Sequence, residues 1–124
     1  MTETIPSGIR LKNLIQNHHA EILGREKNNE KFIHLYSIGT YWVAFEQSAY
    51  RLNRIFGTSE ISLFRVASLP DYVVMVSVPY DEVVACFRRY IVRHGGPDYK
   101  VLVVSSLPIE CYCKWHMDTV KSVL

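Results

Sequence analysis

At 124 residues the chain has material for one compact domain with a single core, and not for two domains of ordinary size. Its 14 Lys and Arg against 12 Asp and Glu leave a formal net charge of +2, far from the strongly basic balance of a dedicated nucleic-acid binder, so total charge selects no partner. A composition 48% hydrophobic and 21% charged, with a mean hydropathy of +0.02, argues against a disordered chain or a membrane protein.

The first element expected in chain order is a helix over residues 9–23, where Ile9, Leu14, Ile15, His18 and Ile22 recur at helical spacing after the Pro6-Ser7-Gly8 breaker. A polar loop, Gly24 to Lys31, follows. Phe32 to Ile38 is a strand-like run that stops at Gly39, and Tyr41 to Phe45 resumes it, which predicts a hairpin closed by a tight turn at Gly39-Thr40. Ser48 is the expected N-cap of a helix Ala49 to Phe56, with Ala49, Leu52, Ile55 and Phe56 on one face, Arg51 and Arg54 pointing outward, and Gly57 as the stop.

Ile61 to Ala67 and Val73 to Val78 read as strands, the second continuously apolar and so expected at the sheet centre, with a turn at Leu69-Pro70-Asp71. Pro79 then opens an expected long helix. Asp81 and Glu82 occupy its first turn, Val83, Val84, Phe87 and Ile91 its buried stripe, and Arg88, Arg89 and Arg93 its end, before Gly95-Gly96-Pro97. Val101 to Val104 is a last buried strand, and residues 107–124 form a tail with helical character. This order predicts an α/β or α+β fold in which helices flank a mixed β-sheet, as a single domain over residues 1–106 followed by the tail.

Chemistry-bearing motifs are sparse. The paired glycines Gly95-Gly96 follow the expected helix, whereas phosphate binding needs them before one, and neither a zinc-protease motif nor a nucleophile elbow is present. Enzymatic activity and a cofactor are therefore not expected. Cys111, Cys113 and His116 form the single candidate metal cluster, because thiolates and imidazole are zinc's usual ligands; the competing reading is three reduced cysteines, Cys86 included, in a cytoplasmic protein. The stretch MTETIPSGIR lacks the positive region followed by a hydrophobic run that marks a secretory signal, and no apolar run approaches a membrane span, so a cytoplasmic protein is expected.

Arg88, Arg89 and Arg93 read either as a phosphate-binding face or as a solvated face favoured by the helix dipole. Tyr41 and Trp42, as strand neighbours, are expected to leave opposite faces of the sheet, so that one can be core while the other is presented to a ligand.

These elements and residues carry a resemblance. The segments FIHLYSIGTYWVAFEQSAYRLNRIFGTSEISL, VVMVSVPYDEVVACFRRYIVRHG and KVLVVS resemble, over about residues 9–106, the N-terminal mismatch-recognition domain of the DNA mismatch repair protein MutS. Gly39, Phe45, Ala49, Leu52, Ile61-Ser62-Leu63, Pro79-Tyr80 and Val83 stand where that pattern has them. In the family, the aromatic of a Phe-x-Glu motif stacks on a mismatched base from the minor groove and the glutamate hydrogen-bonds to it. Tyr41 stands at the aromatic position, Trp42 at the intervening one and Val43 at the glutamate, and valine can neither donate to nor accept from a base edge.

The resemblance implies a non-catalytic module that binds DNA or another nucleic acid, mismatched or distorted. Its expected contacts are Gly39, Tyr41, Trp42, Arg51, Arg54, Arg88 and Arg89, and its expected partner is a polymerase, a reverse transcriptase or a repair protein. The alternative is a protein-interaction module that has kept the fold and lost nucleic-acid recognition, consistent with Val43 and the low net charge.

Overall fold

A computed structural model describes residues 7–57, 59–66 and 71–123. The chain folds as α1 (Ser7–Glu26), β1 (Phe32–Ser37), β2 (Tyr41–Phe45), α2 (Glu46–Ile55), β3 (Glu60–Phe64), β4 (Val73–Pro79), α3 (Tyr80–Cys86), a 3-10 turn (Phe87–Arg89), β5 (Ile91–Gly96), β6 (Tyr99–Val103) and α4 (Ile109–Val123). The α+β class expected from the sequence is the class observed. The six strands form one sheet in the order β3-β4-β2-β1-β6-β5, and each pairing is antiparallel rather than a mixture of directions.

Strand alternation divides the core in two. On one face Trp42, Ala44, Ile33, Leu35, Val76, Val78 and Leu102 meet Ala49 and Leu52 of α2, Val83 of α3 and the flank of Trp115 from α4. On the other, Tyr36, Val43, Phe45, Val73 and Met75 meet Ile22 of α1, with Leu11, Leu14, Ile15 and Leu23 packed alongside. The sheet is thus covered on both sides, which is why β2 and β4 read as nearly continuous apolar runs. Ile9 and His18, expected in the α1 stripe, face solvent instead.

Two expected elements are redrawn by tertiary structure. The long helix after Pro79 stops at Cys86, and Ile91 to Arg93, assigned to its last turns, instead pair with Val101 to Val103 as β5. The β-branched Ile91 and Val92 suit a pleated surface, and pairing with β6 outweighs a helical spacing that they also satisfy. α2 begins at Glu46, directly after β2 and with a left-handed φ of 52°, so Ser48 lies inside the helix and is not its cap. The tail is helical as expected, forming α4, which packs across α2 and β4.

β3 is shorter than the expected strand to Ala67, which lies outside the described residues, as do Leu69 and Pro70 of the expected turn. Among the described residues no helix is long and apolar enough to cross a membrane.

Candidate functional site

The β1–β2 turn sets the position of Tyr41. Gly39 takes a φ of 101°, a conformation that glycine adopts without the steric cost of a side chain. The turn closes as the Ile38 amide donates to the Tyr41 carbonyl at 3.0 Å. Tyr41 then opens β2 opposite Pro79, and the Tyr80 amide donates to the Thr40 carbonyl at 3.0 Å. Tyr41 and Tyr80 are each 38% exposed. Alternation puts Tyr41 on the face of Val43, whereas Tyr80 stacks on Trp42 with centroids 5.4 Å apart on the other. Two half-exposed phenols therefore flank one end of the sheet.

Trp42 does not join them. It is 0% exposed, stacked under Tyr80 and edge-on to Phe87, so it is a core side chain and not a ligand-facing one. Its indole Nε1 has no hydrogen-bond partner among the described residues. Val43 is equally buried in the α1-side core.

Of the arginines expected to meet nucleic acid, Arg51 is withdrawn. It is 4% exposed and turns inward to donate to the carbonyls of Asn29 at 2.8 Å, Glu30 at 3.0 Å and Phe32 at 3.4 Å. The carbonyls of Asn29 and Glu30 lie in the connection from α1 to β1, and that of Phe32, which also accepts from the Asn29 side-chain amide at 2.9 Å, opens β1; a guanidinium supplies several donors at once. Beside it, Glu26 accepts from the Ser48 amide at 2.8 Å, the Ser48 hydroxyl at 2.7 Å and the Asn29 side-chain amide at 3.1 Å. Burial raises the Glu26 carboxyl to about 7 despite these donors.

Arg54, Arg88 and Arg89 are exposed as expected. Arg54 closes α2, resting 5.8 Å from the Tyr50 ring. Because α2 starts at the far end of β2 and runs back beside it, and β3 then begins opposite Ser77, Arg54 is carried toward the end where Tyr41 stands. Arg88 and Arg89 lie in the 3-10 turn beyond α3, about 10 Å of helix away from Tyr80.

The metal cluster is corrected by the helix that contains it. Cys111 and Cys113 are two residues apart on α4, about 200° around its axis, so their thiols diverge, and both are exposed. Among the described residues no group of three or more His, Cys, Asp or Glu is gathered as a metal would require.

His116 has a different partner. Its Nε2 donates to Glu46 Oε1 at 3.1 Å, the Tyr112 hydroxyl donates to Glu46 Oε2 at 3.1 Å, and the Val74 amide donates to Oε1 at 2.8 Å. Asp71, Tyr72, Cys113 and Met117 complete a cleft of about 370 Å³ around this carboxylate. The hydrogen bond to Glu46 raises the His116 pKa above its ordinary value, with burial opposing it. Two of these three donors, Tyr112 and His116, come from α4 and make Glu46 its polar anchor, beside an aromatic contact of Tyr50 with Trp115 at 5.3 Å. The sequence offered one signal for this site, the spacing Tyr112 to His116, which puts both side chains on one helix face.

No family model, no curated protein and no solved structure matches this chain.

Proposed function

We propose that the chain is a non-catalytic nucleic-acid-binding module of the MutS mismatch-recognition type, serving as an accessory to a polymerase, a reverse transcriptase or a repair protein. The observation that carries this reading is Tyr41, half exposed at the tip of a hairpin whose glycine takes a positive φ. An aromatic presented at a turn can stack on an unpaired or unstacked base, a contact worth about 1–3 kcal/mol that tolerates any base.

Tyr80 adds a second exposed aromatic at the same end of the sheet on the opposite face, and Arg54, Arg88 and Arg89 supply exposed cations for phosphates. Trp42 and Arg51, both buried, take no part. With Val43 inside the core, the position of the family's glutamate offers no carboxylate, so the proposed contact is with distorted or unpaired nucleic acid in general and lacks that mismatch-specific hydrogen bond. Titration of fluorescent duplex, mismatched and single-stranded DNA and RNA at low and moderate salt tests this. Binding that weakens steeply with salt supports it, and no binding at low salt overturns it.

A second reading, a protein-interaction module, is favoured by the burial of Trp42, Val43 and Arg51, which removes three positions from any nucleic-acid surface.

A further inference from the structure

β5 is one edge of the sheet, bonded to β6 on one side and to no other strand among the described residues. Regular pairing runs from Ile91 to His94, after which the register shifts. An edge strand presents every second amide and carbonyl outward, unpaired by its own sheet. Natural edges are commonly covered, kinked or charged against a neighbour, and the chemistry of this one is one-sided.

Ile91 is 70% exposed. Register places it in a row with Val103 and Phe32 across β5, β6 and β1, and all three remain accessible. This apolar row therefore continues to the open edge. Arg93, two residues along on the same face, is exposed and reaches over the Phe32 ring at 5.4 Å. On the opposite face Val92 joins the core beside Phe87, and the exposed Arg88 and Arg89 stand in the turn that packs against β5. Lys31, also exposed, precedes Phe32.

We propose that β5 is a docking edge for an acidic, extended segment of a partner protein, which adds to the sheet as a seventh strand. Backbone hydrogen bonds to the outward groups of Ile91 to His94 supply the affinity, as in other strand-addition complexes. An apolar residue beside Ile91 continues the Phe32–Val103–Ile91 row. Acidic residues opposite Arg93, and on the other face toward Arg88 and Arg89, set direction and selectivity. A second copy of β5 is the poorer occupant, because pairing β5 with itself brings like charges from Arg93 together.

The test is selection of a random-peptide display library on the intact chain, followed by titration of the enriched peptides and hydrogen exchange of the complex. The expected outcome is enrichment of acidic residues alternating with β-branched ones, with slowed exchange at Ile91 to His94. Arg88→Glu, Arg89→Glu and Arg93→Glu together weaken those peptides roughly tenfold or more, and the conservative Ile91→Thr weakens them several-fold with the melting temperature of the free protein retained. The proposal is overturned by no enrichment, by peptides without acidic residues, or by protection elsewhere in the sheet. It is also overturned if oligothymidine slows exchange on β5 where the peptides do not, or if sedimentation shows self-association that Ile91→Thr abolishes.

Discussion

His116 and Glu46 are 70 positions apart in sequence and 3.1 Å apart in space, and their contact docks the C-terminal helix on the strand-to-helix junction after β2. Both side chains are about four-fifths buried, so the pair is less screened than a surface ion pair. Removing either partner leaves the other polar group partly desolvated.

His116→Ala is expected to lower stability by about 1–2 kcal/mol, and the loss is measured by denaturant unfolding with Trp115 as a local probe. The pH dependence follows from the raised His116 pKa. The folded state holds the proton more tightly than the unfolded one, so this contribution is complete below the ordinary value of 6.5 and is lost as pH rises through the raised value. A wild-type-minus-variant difference that grows with pH would contradict the assignment.

Glu26 and His34 are expected to oppose each other. Glu26 moves from 4.5 to about 7, so its folded form binds more protons and stability falls as pH rises across that window. His34, whose Nδ1 lies 2.7 Å from the Tyr99 hydroxyl, is pushed from 6.5 to about 4 by burial and then by Arg25 and Arg51. Its folded form binds fewer protons, so stability rises with pH across nearly the same range. The two contributions are therefore expected largely to cancel between these values, and Glu26→Gln to expose the rising His34 limb. A flat profile in that variant would count against one or both shifts.

Arg51 and Arg54 lie one helical turn apart and are expected to respond in opposite ways. Arg51→Leu removes a donor from the carbonyls of Asn29, Glu30 and Phe32, which lead into β1, at a cost of about 2–4 kcal/mol. Arg54→Leu, exposed on the last turn of α2, should change stability by less than about 0.5 kcal/mol while weakening nucleic-acid binding. Urea midpoints of the two variants decide this, and equal midpoints would show that Arg51 is not the structural member of the pair.

Much of this architecture is legible in the sequence, for identifiable reasons. The β1–β2 hairpin, the apolar β4 and the body of α2 are local patterns, fixed by alternation, by Gly39 and by the spacing of Ala49, Leu52 and Ile55. β5 was concealed because Val83, Phe87 and Ile91 keep a helical period through a helix end, and only pairing with β6 reveals the switch. The inward turn of Arg51 and the Glu46–His116 contact were hidden for a related reason. Helical periodicity says which way a Cβ points, but not that a long side chain bends back to a loop, nor that a C-terminal helix returns to a residue at the end of β2.

The candidate site was half legible. Alternation correctly sets Tyr41 and Trp42 on opposite faces, while their fates depended on helices that arrive later in the chain. α3 and Tyr80 bury Trp42, and Tyr41 stays half exposed at the sheet's end.

That division gives the most direct measurement of the proposed function, a comparison of Tyr41→Ala and Trp42→Ala in both folding and binding. Trp42→Ala should cost about 3–5 kcal/mol of stability. Tyr41→Ala should cost less than about 1 kcal/mol and should reduce affinity for single-stranded or mismatched nucleic acid roughly tenfold, as loss of one stacked base predicts. Full affinity in a folded Tyr41→Ala protein would contradict the account.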